Sequence, residues 1–82
     1  MSTHEGAKTA GPNVKWLSAV DITPWQTERL LPVCVSVSVK EHLGRTCAAV
    51  GVNPEDFAEV MAIAEREGLK ILTEDDMREM RG

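Results

Sequence analysis

Valine occupies every odd position from Val33 to Val39, and cysteine or serine every even one between them. This period of two places four β-branched side chains on one face and small polar ones on the other. It predicts a half-buried strand over 33–39, the most regular strand signal in the chain. Elsewhere the apolar spacing is helical. Val39, Leu43, Cys47 and Val50 recur at three- and four-residue steps. Ser38 to Glu41 has the form of a capping box, and Gly51 stands where a left-handed cap residue ends a helix, so a helix up to Val50 is expected. Within it Gly44 lowers helix stability by about 1 kcal/mol relative to Ala and marks a close crossing.

Two further helix starts are written in full. Thr23-Pro24-Trp25-Gln26 combines an N-cap hydroxyl, proline at the first helical position and Gln three residues on; Pro32 limits this helix to about Pro24 to Leu31. Asn53-Pro54-Glu55-Asp56 opens the strongest helix, Pro54 to Glu67, with Phe57, Val60, Met61 and Ala64 as its buried stripe and Gly68 as its stop. Leu69 to Leu72 reads as a short strand and Glu74 to Met80 as a short last helix. Val14 to Ile22 reads as a short extended segment that lays Trp16 on the core. Residues 1–13, polar and rich in Gly, Ser and Thr, read as a disordered tail. The expected architecture is therefore α+β: one small domain over 14–82 with three or four short helices on a two- or three-stranded sheet.

Composition narrows the class. Eighty-two residues of 9.0 kDa make one small domain with little core to spare for a deep catalytic pocket. No apolar run approaches the ~20 residues of a membrane span. Two cysteines are too few for a disulfide-stapled secreted domain, so a cytoplasmic chain with reduced thiols is expected. The formal charge of −4 is uneven: residues 53–82 hold nine acids against four bases, whereas residues 1–52 hold four acids against five bases. No basic cluster occurs, so nucleic acid is a poor partner.

The order helix, Gly51-Val52-Asn53 turn, helix, Gly68-Leu69 strand resembles the second and third helices of a winged helix-turn-helix with its first wing strand. The residues behind the resemblance are Cys47, Gly51, Phe57, Val60, Gly68 and Leu69. It implies a DNA-reading second helix, but the exposed positions there are Glu55, Asp56, Ala58, Glu59 and Ala62, and carboxylates repel phosphates. The order strand, helix, helix from Val33 to Glu67 is also similar to a ribbon–helix–helix dimer with Ser36 and Ser38 as readout residues; the basic residues that family needs reduce here to Lys40 and Arg45.

No catalytic motif or phosphate loop occurs. Cys34, His42, Cys47 and His4 match no paired metal-ligand spacing, and Cys34 on the polar strand face and Cys47 on the apolar helix stripe would not converge. No cofactor, metal or catalytic residue is expected. The reading that follows is a non-enzymatic intracellular protein-binding module (a regulator, inhibitor or accessory subunit). Its contacts are Glu55, Asp56, Glu59 and Arg66 on the acidic helix, and its partner a protein with a basic surface. The alternative is a dimeric winged-helix or ribbon–helix–helix DNA-binding regulator, and a homodimer stays open in either case.

Overall fold

The structure is a computed structural model that describes residues 2–73 and Asp76. The described residues form five strands and two α-helices in the order β1 (Ser2–Glu5), β2 (Lys15–Val20), α1 (Pro24–Leu30), β3 (Ser36–His42), β4 (Arg45–Val52), α2 (Phe57–Arg66) and β5 (Lys70–Leu72). Short 3-10 turns at Leu31–Val33 and Pro54–Asp56 follow α1 and precede α2. The strands form one sheet in the order β1-β3-β4-β2-β5 with every neighbouring pair antiparallel.

This overturns the expected count of three or four helices on a two- or three-stranded sheet, and with it the helix-turn-helix. The segment taken for a helix up to Val50 is the hairpin β3–β4. His42 pairs with Arg45, leaving Leu43 and Gly44 as a two-residue loop with φ of +53° and +79°. Two successive positive φ values are what a type I′ turn requires, and its twist matches that of the flanking strands. The helical stripe then disperses. Val50 is fully buried, Leu43 is 89% exposed at the turn, and Cys47 lies on the opposite sheet face from Val50. The true period is two: Ala48, Val50 and Val52 are buried and alternate with half-buried Cys47 and Ala49. Strand β3 leads into β4 rather than into two helices, so the ribbon–helix–helix order is also absent.

The valine ladder holds only in part. β3 begins at Ser36, with Val37 fully buried and Val39 half-buried on the same face, while Val33 closes a 3-10 turn and Val35 precedes the strand. Cys34, expected on a polar face, is fully buried.

α1 begins where its cap indicates, whereas α2 begins at Phe57, after the 3-10 turn Pro54–Asp56, and not at Pro54 as expected. The Thr23 hydroxyl accepts from the Gln26 amide at 3.2 Å, and Gln26 Oε1 accepts from the Thr23 amide at 2.9 Å, a complete capping box. Gly68 has φ of +68° and lies just past α2, as a C-terminal stop should. Asn53 differs from expectation: its side chain makes no cap bond. Its Oδ1 accepts from the Gly11 amide at 2.8 Å and its Nδ2 donates to the Thr9 carbonyl at 3.0 Å.

Those bonds belong to a tied-down N-terminus. Residues 2–5, read from the sequence as part of a disordered tail, pair with β3 as β1. Gly6 donates to the Val35 carbonyl at 2.7 Å, and the amides of Ala7 and Lys8 reach Leu31 and Cys34. A Cβ on Gly6 would stand 1.8 Å from the Cys34 carbonyl oxygen, so only glycine fits this crossing.

The helices lie on one face of the sheet. Leu17, Val37, Val50 and Val52 point to that side and pack with Leu30 of α1 and Val60 of α2. Among the described residues, no helix covers the other face. The residues from Glu74 on, apart from Asp76, lie outside the described residues, and so does the last helix expected at Glu74 to Met80. No helix among the described residues is long and apolar enough to cross a membrane.

Candidate functional site

α2 carries the acidic residues singled out from the sequence. Its buried stripe is Val60 and Ala64, with Phe57 and Met61 half-buried beside them. The 3.6-residue repeat turns Glu59, Ala62 and Arg66 to solvent, and all three are exposed, as is Glu55 in the turn that precedes the helix. Asp56 does not join them. It is buried to 9% exposure and lies 3.8 Å from the Lys8 ammonium, so its charge is engaged by the N-terminal arm. Of the four predicted contacts, three share the solvent side and one is turned inward.

A feature the sequence does not announce lies next to this strip. α2 and β5 leave a shallow groove of about 630 Å³ between them. Half-buried Phe57, Met61 and Ile71 form its apolar floor, Ala58 and Ala62 line one wall, and exposed Glu65 stands at its rim. The alanines are small enough to let another chain approach the helix closely, and β5 is the edge strand of the sheet on this side.

The second feature is the sheet face that no helix among the described residues covers. Pairing of Trp16 with Gly51, Ser18 with Ala49 and Val20 with Cys47 puts these six residues on it. Trp16, expected on the core, is instead 47% exposed. Its ring lies across Gly51, with two ring carbons 3.1 Å from where a Cβ would stand. The six-membered ring of the indole therefore lies against the Gly51 backbone, while about half of the residue is open to solvent. The alternation Trp16, Ser18, Val20 against Leu17, Ala19 is the signal for this arrangement in the sequence; it is short and was masked by the apolar residues on both faces.

The thiols sit in different environments. Burial pushes the Cys34 thiol up to about 11, while Cys47 is half-buried on the open face; neither forms a disulfide. The sheet lies between the two, opposite to the sides assigned from the sequence. Among the described residues no group of three or more His, Cys, Asp or Glu side chains is placed to hold a metal ion. His4 lies apart, in a cleft of about 380 Å³ between the sheet and α1 that Ile22, Thr27, Leu31 and Val39 also line.

No family model, no curated protein and no solved structure matches this chain.

Proposed function

We propose that this chain is a non-enzymatic protein-binding module that receives a basic, amphipathic segment of another protein along α2. The observation that supports this reading is the juxtaposition of exposed Glu55, Glu59 and Glu65 with the apolar groove floored by Phe57, Met61 and Ile71. A segment with Lys or Arg on one side and Leu, Ile or Met on the other satisfies both parts. Apolar side chains entering the groove contribute roughly 25 cal/mol per Å² removed from water, and the carboxylates attract and orient the basic side. The nine acids against four bases in residues 53–82 extend that attraction beyond the contact itself. Asp56 takes no part, because Lys8 already neutralises it.

A random peptide display library selected against the full chain tests the reading. Enriched peptides are expected to combine two or more basic residues with apolar ones at helical or alternating spacing. Glu59→Lys and Met61→Glu should each weaken their capture about tenfold or more, a ~1.4 kcal/mol effect. Peptides without basic residues, or peptides retained equally by both variants, would exclude this surface.

A further inference from the structure

The sheet face that no helix among the described residues covers is complementary to itself. The registers sort its side chains into three rows that run across the strands. The first row holds Lys40 on β3, Cys47 on β4, Val20 on β2 and Lys70 on β5, with Arg45 of β4 on the same face beyond it. The middle row holds Ser38, Ala49, Ser18 and Leu72 in the same strand order, with Thr3 beside Ser38. The third holds Glu5 on β1, Ser36 on β3 and Gly51 on β4, followed by Trp16 on β2. The lysines thus stand at one end of the face and the acid at the other. Four residues of β3, about 13 Å at ~3.3 Å each, separate Lys40 from the row of Glu5, so the two do not pair within one chain.

We propose that a second copy of this chain covers this face, related by a two-fold axis that runs along the middle row, across the strands. Rotation about that axis exchanges the outer rows while each strand stays over its own counterpart. Lys40 of one copy then lies over β3 of the other beside Glu5, and symmetry repeats the pair. Val20 lies over Trp16 of the other copy, again twice. Ala49 and Ser18 meet their own counterparts at the axis, where small side chains let the sheets close to roughly the 10 Å of face-to-face packing, and half-buried Leu72 meets its own counterpart at the β5 edge. A two-fold along the strands would set Lys40 against the lysine row of the other copy, so the charges select the first axis. Exposed Trp16 gains a partner for its open surface, and half-buried Val20 and Ala49 lose their remaining water.

Five strands and the six residues of β2 give a face about 20 Å by 20 Å, from strand spacings of ~4.8 Å and rises of ~3.3 Å. About 400 Å² in plan on each side is below the ~800 Å² per partner of a standard interface and is the size of a weak, transient contact.

Sedimentation equilibrium of the full chain from about 1 to 200 µM is expected to show a monomer–dimer equilibrium in the range typical of so small an interface. In a Trp25→Phe background, Trp16 emission should shift to the blue as the dimer forms. Ala49→Arg, at the axis, should leave the protein monomeric with an unchanged circular dichroism spectrum. Lys40→Glu and Glu5→Lys should each raise the dissociation constant about tenfold, and combining them should restore it, since the pair re-forms with reversed signs. Both charge variants are exposed, so this arm does not depend on whether Ala49→Arg folds. A monomer at every concentration, or a dimer that ignores Ala49→Arg and the charge swap, overturns the proposal. So does a monomer whose Trp16 is quenched by a single-stranded oligonucleotide, which would assign the open indole surface to stacked bases.

Discussion

The side chain of Asn53 holds the backbone of Gly11, with Oδ1 accepting the Gly11 amide at 2.8 Å while Nδ2 donates to the Thr9 carbonyl two residues earlier. One buried amide side chain therefore mimics a strand neighbour and ties the N-terminal arm to the start of α2. Lys8 adds its contact to Asp56 from the same arm. Asn53→Ala removes both hydrogen bonds and is expected to cost about 1–3 kcal/mol. That lowers the melting temperature by roughly 4–8 °C per kcal/mol in a domain of this size. Amide exchange localises the effect: Gly11 should lose protection while Gly6, bonded to the Val35 carbonyl, keeps it.

The β3–β4 turn carries the second prediction. Leu43 is 89% exposed and has φ of +53°, a conformation in which a leucine gains nothing from packing. Leu43→Asn should stabilise the protein by about 0.5–1 kcal/mol, because asparagine tolerates the left-handed region and Asn-Gly is the preferred type I′ pair. Gly44→Ala should destabilise it, since the methyl group meets open space but the φ of +79° opposes it. Denaturant midpoints moving in opposite directions for the two variants check both statements.

That same turn explains why half of the fold was hidden in the sequence. With Asn at position 43, the hairpin would have been plain. Leu43 instead completes a helical stripe with Val39, Cys47 and Val50, and Ala48-Ala49 is a helix former by propensity that sheet pairing overrides. Ser38 to Glu41 looks like a cap but lies within β3. The helix starts at Thr23 and near Asn53 were legible because capping chemistry is local and needs no knowledge of partners. The N-terminal strand was not, since Ser2–Glu5 has no apolar alternation and owes its strand state to the edge of β3. Glu55, Glu59 and Arg66 were placed on the solvent side correctly from periodicity alone. The fate of Asp56 depended on Lys8, 48 residues away, and the groove beside α2 depended on β5; neither contact leaves a trace in the local pattern.

Cys34 and Cys47 should differ sharply in reactivity. A thiol-reactive disulfide reagent at neutral pH is expected to modify Cys47 in the native protein and Cys34 only after unfolding, because burial disfavours the Cys34 thiolate. Stability follows the same group. Its thiol ionises near 9.0 when unfolded and at about 11 when folded, so the folded chain retains the proton longer. The stabilisation is complete below the unfolded value and is lost as pH rises through the folded one. The stability difference between the wild type and Cys34→Ala should therefore shrink between pH 9.0 and about 11. A difference constant over that window would place the Cys34 thiol in contact with water.

The acidic strip is the surface to test by charge. Glu55 and Glu59 are exposed and lie about one helical turn apart, where like charges cost roughly 0.2–0.5 kcal/mol. Both also sit near the N-terminal end of α2, where negative charge is favourable by a similar amount. Glu55→Lys with Glu59→Lys keeps a like-charge pair and puts positive charge at the helix N-terminus, so the melting temperature should fall slightly. Binding behaves differently, since only the attractive part concerns the partner. A basic amphipathic peptide selected against the wild-type chain should bind the doubly reversed protein at least about tenfold more weakly at low salt, chiefly through a slower association rate. Raising the ionic strength to about 1 M shortens the screening length to ~3 Å, and the gap between the two proteins should then narrow. Met61→Glu should show the opposite dependence: its loss comes from the apolar groove and persists at high salt. A salt-sensitive loss for the charge variant and a salt-insensitive one for Met61→Glu would assign the two halves of the surface separately. Equal binding of the peptide by all three proteins at low salt would leave the strip a solvated helix face.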